Sequence, residues 1–245
     1  MDISVNTIYK DESLIVVNKP AGVLSHPNPR APKDPTAEAR GASCIFQGTY
    51  HFADRRFDTP NGPVWLIHRL DRDTSGVLLA AFDRPTAERL RKQFDHQDVD
   101  KRYVAIVGGE IGGKGVWRDR ILKQKGPARV RSRIVKKGIG EPNAVLDYVA
   151  RRYFKRTNAT LVEFHLVTGR THQIRVQAAS KEHPVAGDAV YGHFGWNREL
   201  RSRLGLKRIF LHASGIALRH PTSGKVLHAK SPLPEELERV LSRMS

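Results

Sequence analysis

His68-Arg69-Leu70-Asp71-Arg72-Asp73-Thr74-Ser75-Gly76 runs without a break into Val77-Leu78-Leu79-Ala80-Ala81-Phe82. The first nine residues carry two carboxylates, two guanidiniums, an imidazole and two hydroxyls. The apolar run that follows reads as a buried strand. A polar cluster feeding a buried strand points to a site held on a rigid element rather than to a solvated loop. Asp71 and Asp73 are two apart, so on an extended segment they face opposite sides. They are therefore poor candidates for the paired carboxylates of a glycosidase. Asp73 precedes Thr74 and Ser75, where a short acceptor ties down the backbone N–H groups of a turn. Asp71 lies between Arg69 and Arg72. A neighbouring guanidinium keeps a carboxylate ionised, as a nucleophile requires. A buried Asp–Arg pair that only fixes a turn is the other reading, and the local sequence leaves both open.

Upstream, residues 3–9 and 14–18 read as strands around the turn Lys10-Asp11-Glu12-Ser13, and Asn18-Lys19-Pro20-Ala21-Gly22 ends the second strand. Sheet this early leaves no room for a separate amino-terminal RNA-binding domain, so 1–245 reads as a single domain. Residues 26–63 are the least regular part. Pro27, Pro29, Pro32 and Pro35 exclude sustained helix or a central strand there, and the spacing predicts a Pro-rich loop segment.

Downstream, Asp83 and Pro85 open a helix with Ala87, Leu90, Arg91 and Phe94 on one face. Tyr103–Val107 is a strand stopped by Gly108-Gly109. Short strands are expected at 119–123 and 130–136, and a hairpin pairs 144–153 with 159–167. A short helix follows from His172 to Ser180. The segment 197–208 reads only as basic. Strands are expected over 210–218 and 225–228. Pro234 opens a final helix with Leu237, Val240, Leu241 and Met244 as a core stripe. Strands outnumber helices and hairpin-length turns join many of them, which gives an α+β fold with a mixed, mostly antiparallel sheet.

A second cluster, Thr168-Gly169-Arg170-Thr171-His172-Gln173-Ile174-Arg175, sits at a strand-to-helix junction. Backbone N–H groups at a helix start, with arginines beside them, make a natural phosphate site. A solvated helix end is the plainer reading.

Charge narrows the partners. The chain has 42 Lys+Arg against 25 Asp+Glu, a net charge of +17, and a pI near 10.3. Such an excess favours polyanions, because each neutralised phosphate releases condensed counterions. The basic runs 129–133, 151–156 and 198–208, with Tyr153, Phe154 and Trp196 interleaved, fit an RNA-facing surface with stacking options. No stretch is apolar enough for a membrane helix, and no secretory leader opens the chain, so cytoplasm is expected. Cys44 is the one cysteine, and the 11 histidines show no HExxH-like pairing, so no metal site is expected. No GxxxxGK[ST] or strand–GxGxxG–helix unit appears, which argues against a nucleotide cofactor. With no unassigned apolar stripe, a monomer is expected.

The motifs together resemble the RluA family of pseudouridine synthases. His68–Gly76 is similar to the family's HRLDRDTSG, Asn18–Gly22 to its NKPAG, and Lys101-Arg102-Tyr103-Val104-Ala105 to its K-x-Y-x-A strand. Thr168–Arg175 is similar to TGRTHQIR and Gly187-Asp188 with Tyr191 to GD..Y. Leu211-His212-Ala213 and His220-Pro221 match its late LHA and HP elements. The set falls in the family's order from about residue 14 to 232. The resemblance implies a synthase fold, a sheet of two halves with a central active-site cleft. It implies isomerisation of uridine to pseudouridine in structured ribosomal or transfer RNA, without cofactor or metal. Asp71 matches the catalytic aspartate, which attacks the ribose anomeric carbon or first draws a sugar proton. The glycosidic bond then breaks, the uracil turns, and it rejoins through carbon 5. Tyr103 matches the tyrosine stacked on the base, Ile174 the apolar residue beside it, and Arg175 the arginine paired with the aspartate. Arg69, Arg170 and His172 are further substrate-contacting candidates. A non-catalytic RNA-binding protein on a synthase-like fold is the alternative, and the Asp71, Tyr103 and Arg175 set argues against it. A DNA-binding protein finds no helix-turn-helix or zinc-finger pattern to support it.

Overall fold

The computed structural model describes residues 6–27, 44–125, 130–135 and 140–244. It divides into two compact units, Met1–Val99 with Gly215–Pro232, and Asp100–Ser214 with Leu233–Ser245.

The first unit is built on β2 (Leu14–Lys19) and β6 (Ser75–Ala81), paired antiparallel from Lys19↔Gly76 to Leu14↔Ala81. All seven residues of β6 are buried. The apolar run after the polar cluster is thus a central strand, as its near-continuous hydrophobicity dictates. β1 (Thr7–Lys10) pairs with β2. β3 (Thr49–His51), β4 (Arg56–Thr59) and β5 (Gly62–Leu66) form an antiparallel meander whose last strand joins β6. This corrects the expectation of irregular chain over 26–63: the loop reading fails from Thr49 onward, while residues 28–43 lie outside the described residues. Pro60 lies in the turn between β4 and β5, and Pro63 is only the second residue of β5, opposite Asp58, near the strand start where proline is tolerated.

Helix α1 (Arg84–Asp95) starts as its sequence predicts. The Asp83 carboxylate accepts from the Thr86 N–H at 2.7 Å, a side-chain cap on an otherwise unsatisfied donor. Ala87 and Leu90 are buried against Val77, Leu79 and Trp65. β13 (Leu211–Arg219) passes from the second unit into the first, where β14 (Val226–Lys230) pairs with it.

The second unit carries the antiparallel order β7–β12–β11–β8, from β7 (Asp100–Gly108), β12 (Ala159–Leu166), β11 (Ala144–Phe154) and β8 (Lys114–Asp119). A separate two-stranded ribbon, β9 (Ile121–Lys125) with β10 (Val130–Ile134), follows. Helix α2 (Gln173–Ser180) buries Ile174 and Ala178 against Val162, Phe164 and Leu211. The final helix α4 (Glu235–Met244) buries Leu237, Val240 and Met244, the stripe read from the sequence.

Helix α3 (Phe194–Leu204) replaces what reads as merely basic chain. The His193 imidazole accepts from the Trp196 N–H at 3.2 Å, and Gly205, with φ +76, ends the helix. Leu200 and Leu204 enter the core with Trp196 packed beside them, while Arg198, Arg201 and Arg203 face out. The Trp196, Leu200, Leu204 spacing was the available signal; the arginines between them masked it.

Candidate active site

The site residues read from the sequence fall into two groups. Arg69 and Asp71 belong to the first unit. Tyr103, Arg170, His172, Ile174 and Arg175 belong to the second.

Asp71 opens a turn closed by the Thr74 N–H on the Asp71 carbonyl at 3.2 Å. That turn is gripped by the Asn18–Gly22 segment. Lys19 is 0% exposed, and its ammonium donates to the carbonyls of Pro20 (2.8 Å), Val23 (2.8 Å) and Arg72 (3.1 Å). The Gly22 N–H also donates to the Arg72 carbonyl at 2.9 Å, and Arg72 Nε returns a bond to the Gly22 carbonyl at 3.0 Å. One residue before Asp71, Ser25 Oγ donates to the Leu70 carbonyl and accepts from the Leu70 N–H, both at 3.0 Å. A buried ammonium is tolerated only when its donors are met, and here carbonyl oxygens meet them. The flanks are anchored too. His68 Nε2 accepts from the Leu79 N–H at 3.1 Å, and its ring stacks on Phe94 at 5.1 Å. Thr74 and Ser75 are buried, while Arg69, Arg72 and Asp73 are exposed and Asp71 is half-buried.

In the second unit, Gln173 closes the Thr168–Arg175 segment on itself. Its buried amide oxygen accepts from Thr168 Oγ1 (2.8 Å) and the Arg170 N–H (2.9 Å), and its nitrogen donates to the Val145 carbonyl (3.1 Å). Arg170 is exposed, with Nε on the Asn143 carbonyl at 2.9 Å. His172 caps α2 in the left-handed region, φ +56 and ψ +26, a backbone state uncommon for a residue with a side chain and concentrated at functional sites. Its Nδ1 is 2.9 Å from the Tyr191 hydroxyl, which also accepts from the Ser132 N–H at 2.7 Å. Ile174 is buried, and Tyr103 is half-buried against the same apolar cluster.

Arg175 is held by residues that the sequence reading placed only as a motif. Asp188, with a side chain 0% exposed, takes Nε at 2.7 Å and Nη2 at 2.9 Å. The Tyr191 ring lies 5.3 Å from the guanidinium carbon, within cation–π range. Burial works to raise the Asp188 carboxyl. The Arg175 guanidinium and the backbone N–H groups of Val190 and Tyr191 outweigh it and hold the carboxyl below its ordinary range. Gly187, φ +75, allows this loop its close approach, since a Cβ there would lie 2.2 Å from the Arg208 carbonyl oxygen. Lys101, two residues before Tyr103, is pushed down to about 8 by burial and donates to the Val167 carbonyl at 3.1 Å.

Of the three aromatics expected to offer stacking surface, Phe154 does not and Trp196 does only in part. Phe154 is 3% exposed, and Trp196 packs on the α3–α4 core with Nε1 on the Thr157 carbonyl. Burial of large apolar rings outweighed the basic chain around them. Among the described residues, no cluster of His, Cys, Asp or Glu is placed to hold a metal ion, and no helix is long and apolar enough to cross a membrane.

Comparison with known proteins agrees with this chemistry. The RNA pseudouridylate synthase family matches residues 13–180. A Pasteurella multocida protein named ribosomal large subunit pseudouridine synthase C is 34% identical over 248 residues, which cover 97% of this chain and 67% of its own. Ribosomal large subunit pseudouridine synthase D of Xanthomonas campestris pv. campestris is 33% identical over 249 residues, covering 99% and 70%. The solved structure of human RNA pseudouridylate synthase domain containing 4 shares the fold, with a TM-score of 0.68 at 22% identity over 98% of this chain and 92% of that one. This chain belongs to the RluA family of RNA pseudouridine synthases. It is an isomerase that converts uridine in RNA to pseudouridine.

Proposed function

We propose that this synthase acts on large-subunit ribosomal RNA and that Asp71 is its nucleophile. The first claim is supported by the names of the relatives, which include both a C and a D large-subunit synthase at similar identity. The second is supported by one observation above others. The Asp71 turn is fixed through its own backbone by Lys19, Gly22 and Ser25, the pre-organisation a nucleophile needs. Asp71 acts at the ribose, the bond from C1′ to N1 breaks, and C1′ is rejoined to C5 of the turned uracil. The C5 proton leaves in the last step. Tyr103, Ile174 and Arg175 contact the uracil side of the substrate, and Arg69, Arg170 and His172 the RNA around it. We assign the activity to a monomer in the cytoplasm, with residues 1–245 serving as one catalytic domain.

Tritium release from RNA labelled at C5 of uridine tests both claims. Large-subunit ribosomal RNA is expected to release label with the wild-type chain and not with Asp71→Ala. Release from transfer RNA alone overturns the target, and undiminished release by Asp71→Ala overturns the nucleophile.

A further inference from the structure

Beside the β3–β4 turn lies a ring cluster that the reaction does not use. The His26 and Tyr50 rings stack nearly parallel, with centroids 5.3 Å apart and planes 12° from coplanar. Phe52 meets both edge-on, at 6.3 Å from His26 and 5.0 Å from Tyr50. Phe57 packs under Tyr50 and is fully buried. Phe52 is 49% exposed, at the tip of a turn whose last residue, Arg55, has φ +54. Phe52 is contiguous with the His26 and Tyr50 rings, and a contiguous exposed apolar patch, unlike a single exposed side chain, marks an interaction site.

The charges beside it say what that use is. Arg55 and Arg69 are both exposed. Among the described residues neither guanidinium forms an ion pair. Their fields act on both Tyr50 and His26. Burial first, then these two guanidiniums, hold His26 below the ordinary imidazole range, so its ring is neutral at pH 7. Its Nδ1 lies 2.8 Å from the Pro27 carbonyl. A carbonyl can only accept, so Nδ1 carries the proton and Nε2 is an acceptor. The nearby Asp54 carboxylate acts on the Arg91 guanidinium. The patch therefore combines π faces, one lone-pair acceptor and two exposed guanidiniums. A base with its 5′ and 3′ phosphates presents the complementary features.

The patch is joined to the Asp71 turn. Ser25, adjacent to His26, makes the paired hydrogen bonds to Leu70 that flank Asp71, and Arg69 belongs to both. We propose that His26, Tyr50 and Phe52, with Arg55 and Arg69, form a stacking subsite for one unpaired RNA nucleotide that flanks the target uridine. The occupant is a base of any identity, because stacking on π faces tolerates sequence. The inference rests on the RNA reading of Asp71 only for its place beside the target.

Fluorescence of a short single-stranded RNA carrying one 2-aminopurine, titrated with the full chain, tests it without turnover. Wild type is expected to quench the 2-aminopurine and bind it about tenfold more tightly than the same RNA with an abasic site at that position. Phe52→Leu keeps an apolar side chain at an exposed position, so the fold persists. It is expected to lose the quench and the preference over the abasic RNA together. Tyr50→Phe keeps the ring and retains both. Arg55→Gln lowers the slope of log K against log salt concentration by about one. Quenching by Phe52→Leu equal to wild type, or equal binding of the two RNAs by wild type, overturns the subsite. Undiminished tritium release by Asp71→Ala with the quench intact overturns the nucleophile assignment and leaves the subsite standing.

Discussion

Lys19, Gly22 and Ser25 grip the main chain on either side of Asp71; Asp188 and Tyr191 grip the guanidinium of Arg175 itself. Lys19, Gly22 and Ser25 bind the carbonyls and N–H groups of Leu70 and Arg72, so the turn is placed and the Asp71 carboxylate travels with it. Asp188 and Tyr191 bind the Arg175 head group directly, so the side chain is aimed through its own charged end. A clasp made through the backbone places the Asp71 turn without drawing on the carboxylate's own oxygens for that task. A cation that orients or balances charge can be held by its own donors, because a guanidinium has five N–H groups and two go to Asp188.

Substitutions can break each half of that contrast. The largest effect belongs to Asp71→Asn, which retains shape and removes charge; tritium release is expected to fall about 10⁴-fold or more while RNA binding persists. Next is Asp188→Ala, which leaves the Arg175 charge without its buried partner at a cost of about 4 kcal/mol. That carboxyl lies below its ordinary range when folded. The pair's stability is thus complete above the unfolded carboxyl value near ~3.9 and is lost as pH falls through the lower folded value. Acid unfolding monitored by circular dichroism should lose that segment in Asp188→Ala, and an unchanged acid profile counts against the pair.

Lys19→Met removes the donor from three carbonyls and is expected to cost about 3 kcal/mol, lowering Tm by roughly 10 °C. Activity should fall with it, since the Asp71 turn loses its clasp. A lowered Tm with unchanged turnover would show that Gly22 and Ser25 suffice. The smallest effect is expected for Tyr191→Phe. It keeps the ring beside Arg175 and removes both the acceptor of the Ser132 N–H and the partner of the His172 imidazole, a loss of about 1–2 kcal/mol, with turnover changed only a few-fold. A larger loss of turnover than of stability would make the hydroxyl part of the active site.

The central elements were legible because their signals are local. The apolar run from Val77 is strand through Ala81, the Asp83–Pro85 start caps a helix through its own neighbours, and the 144–167 hairpin follows from alternation. Three short strands over 49–66 escaped notice because prolines at their turns resemble prolines in a loop. Helix α3 escaped because its apolar residues are four apart among arginines. Lys19 offered no sequence sign that its ammonium would be buried, and Asp188 none that it would hold Arg175, 13 positions away in the chain.

Stacking surface shows where the boundary lies. The sequence offered Tyr153, Phe154 and Trp196 in basic chain, and the folded protein buries Phe154 and much of Trp196 while exposing Phe52 beside Arg55 and Arg69. By itself the sequence determined the family and the polyanionic partner, and it singled out the carboxylate proposed to react, because those are written in residue types and their order. Only the tertiary structure decided which rings meet solvent and which side chain grips which, because burial and pairing depend on surfaces brought from distant parts of the chain.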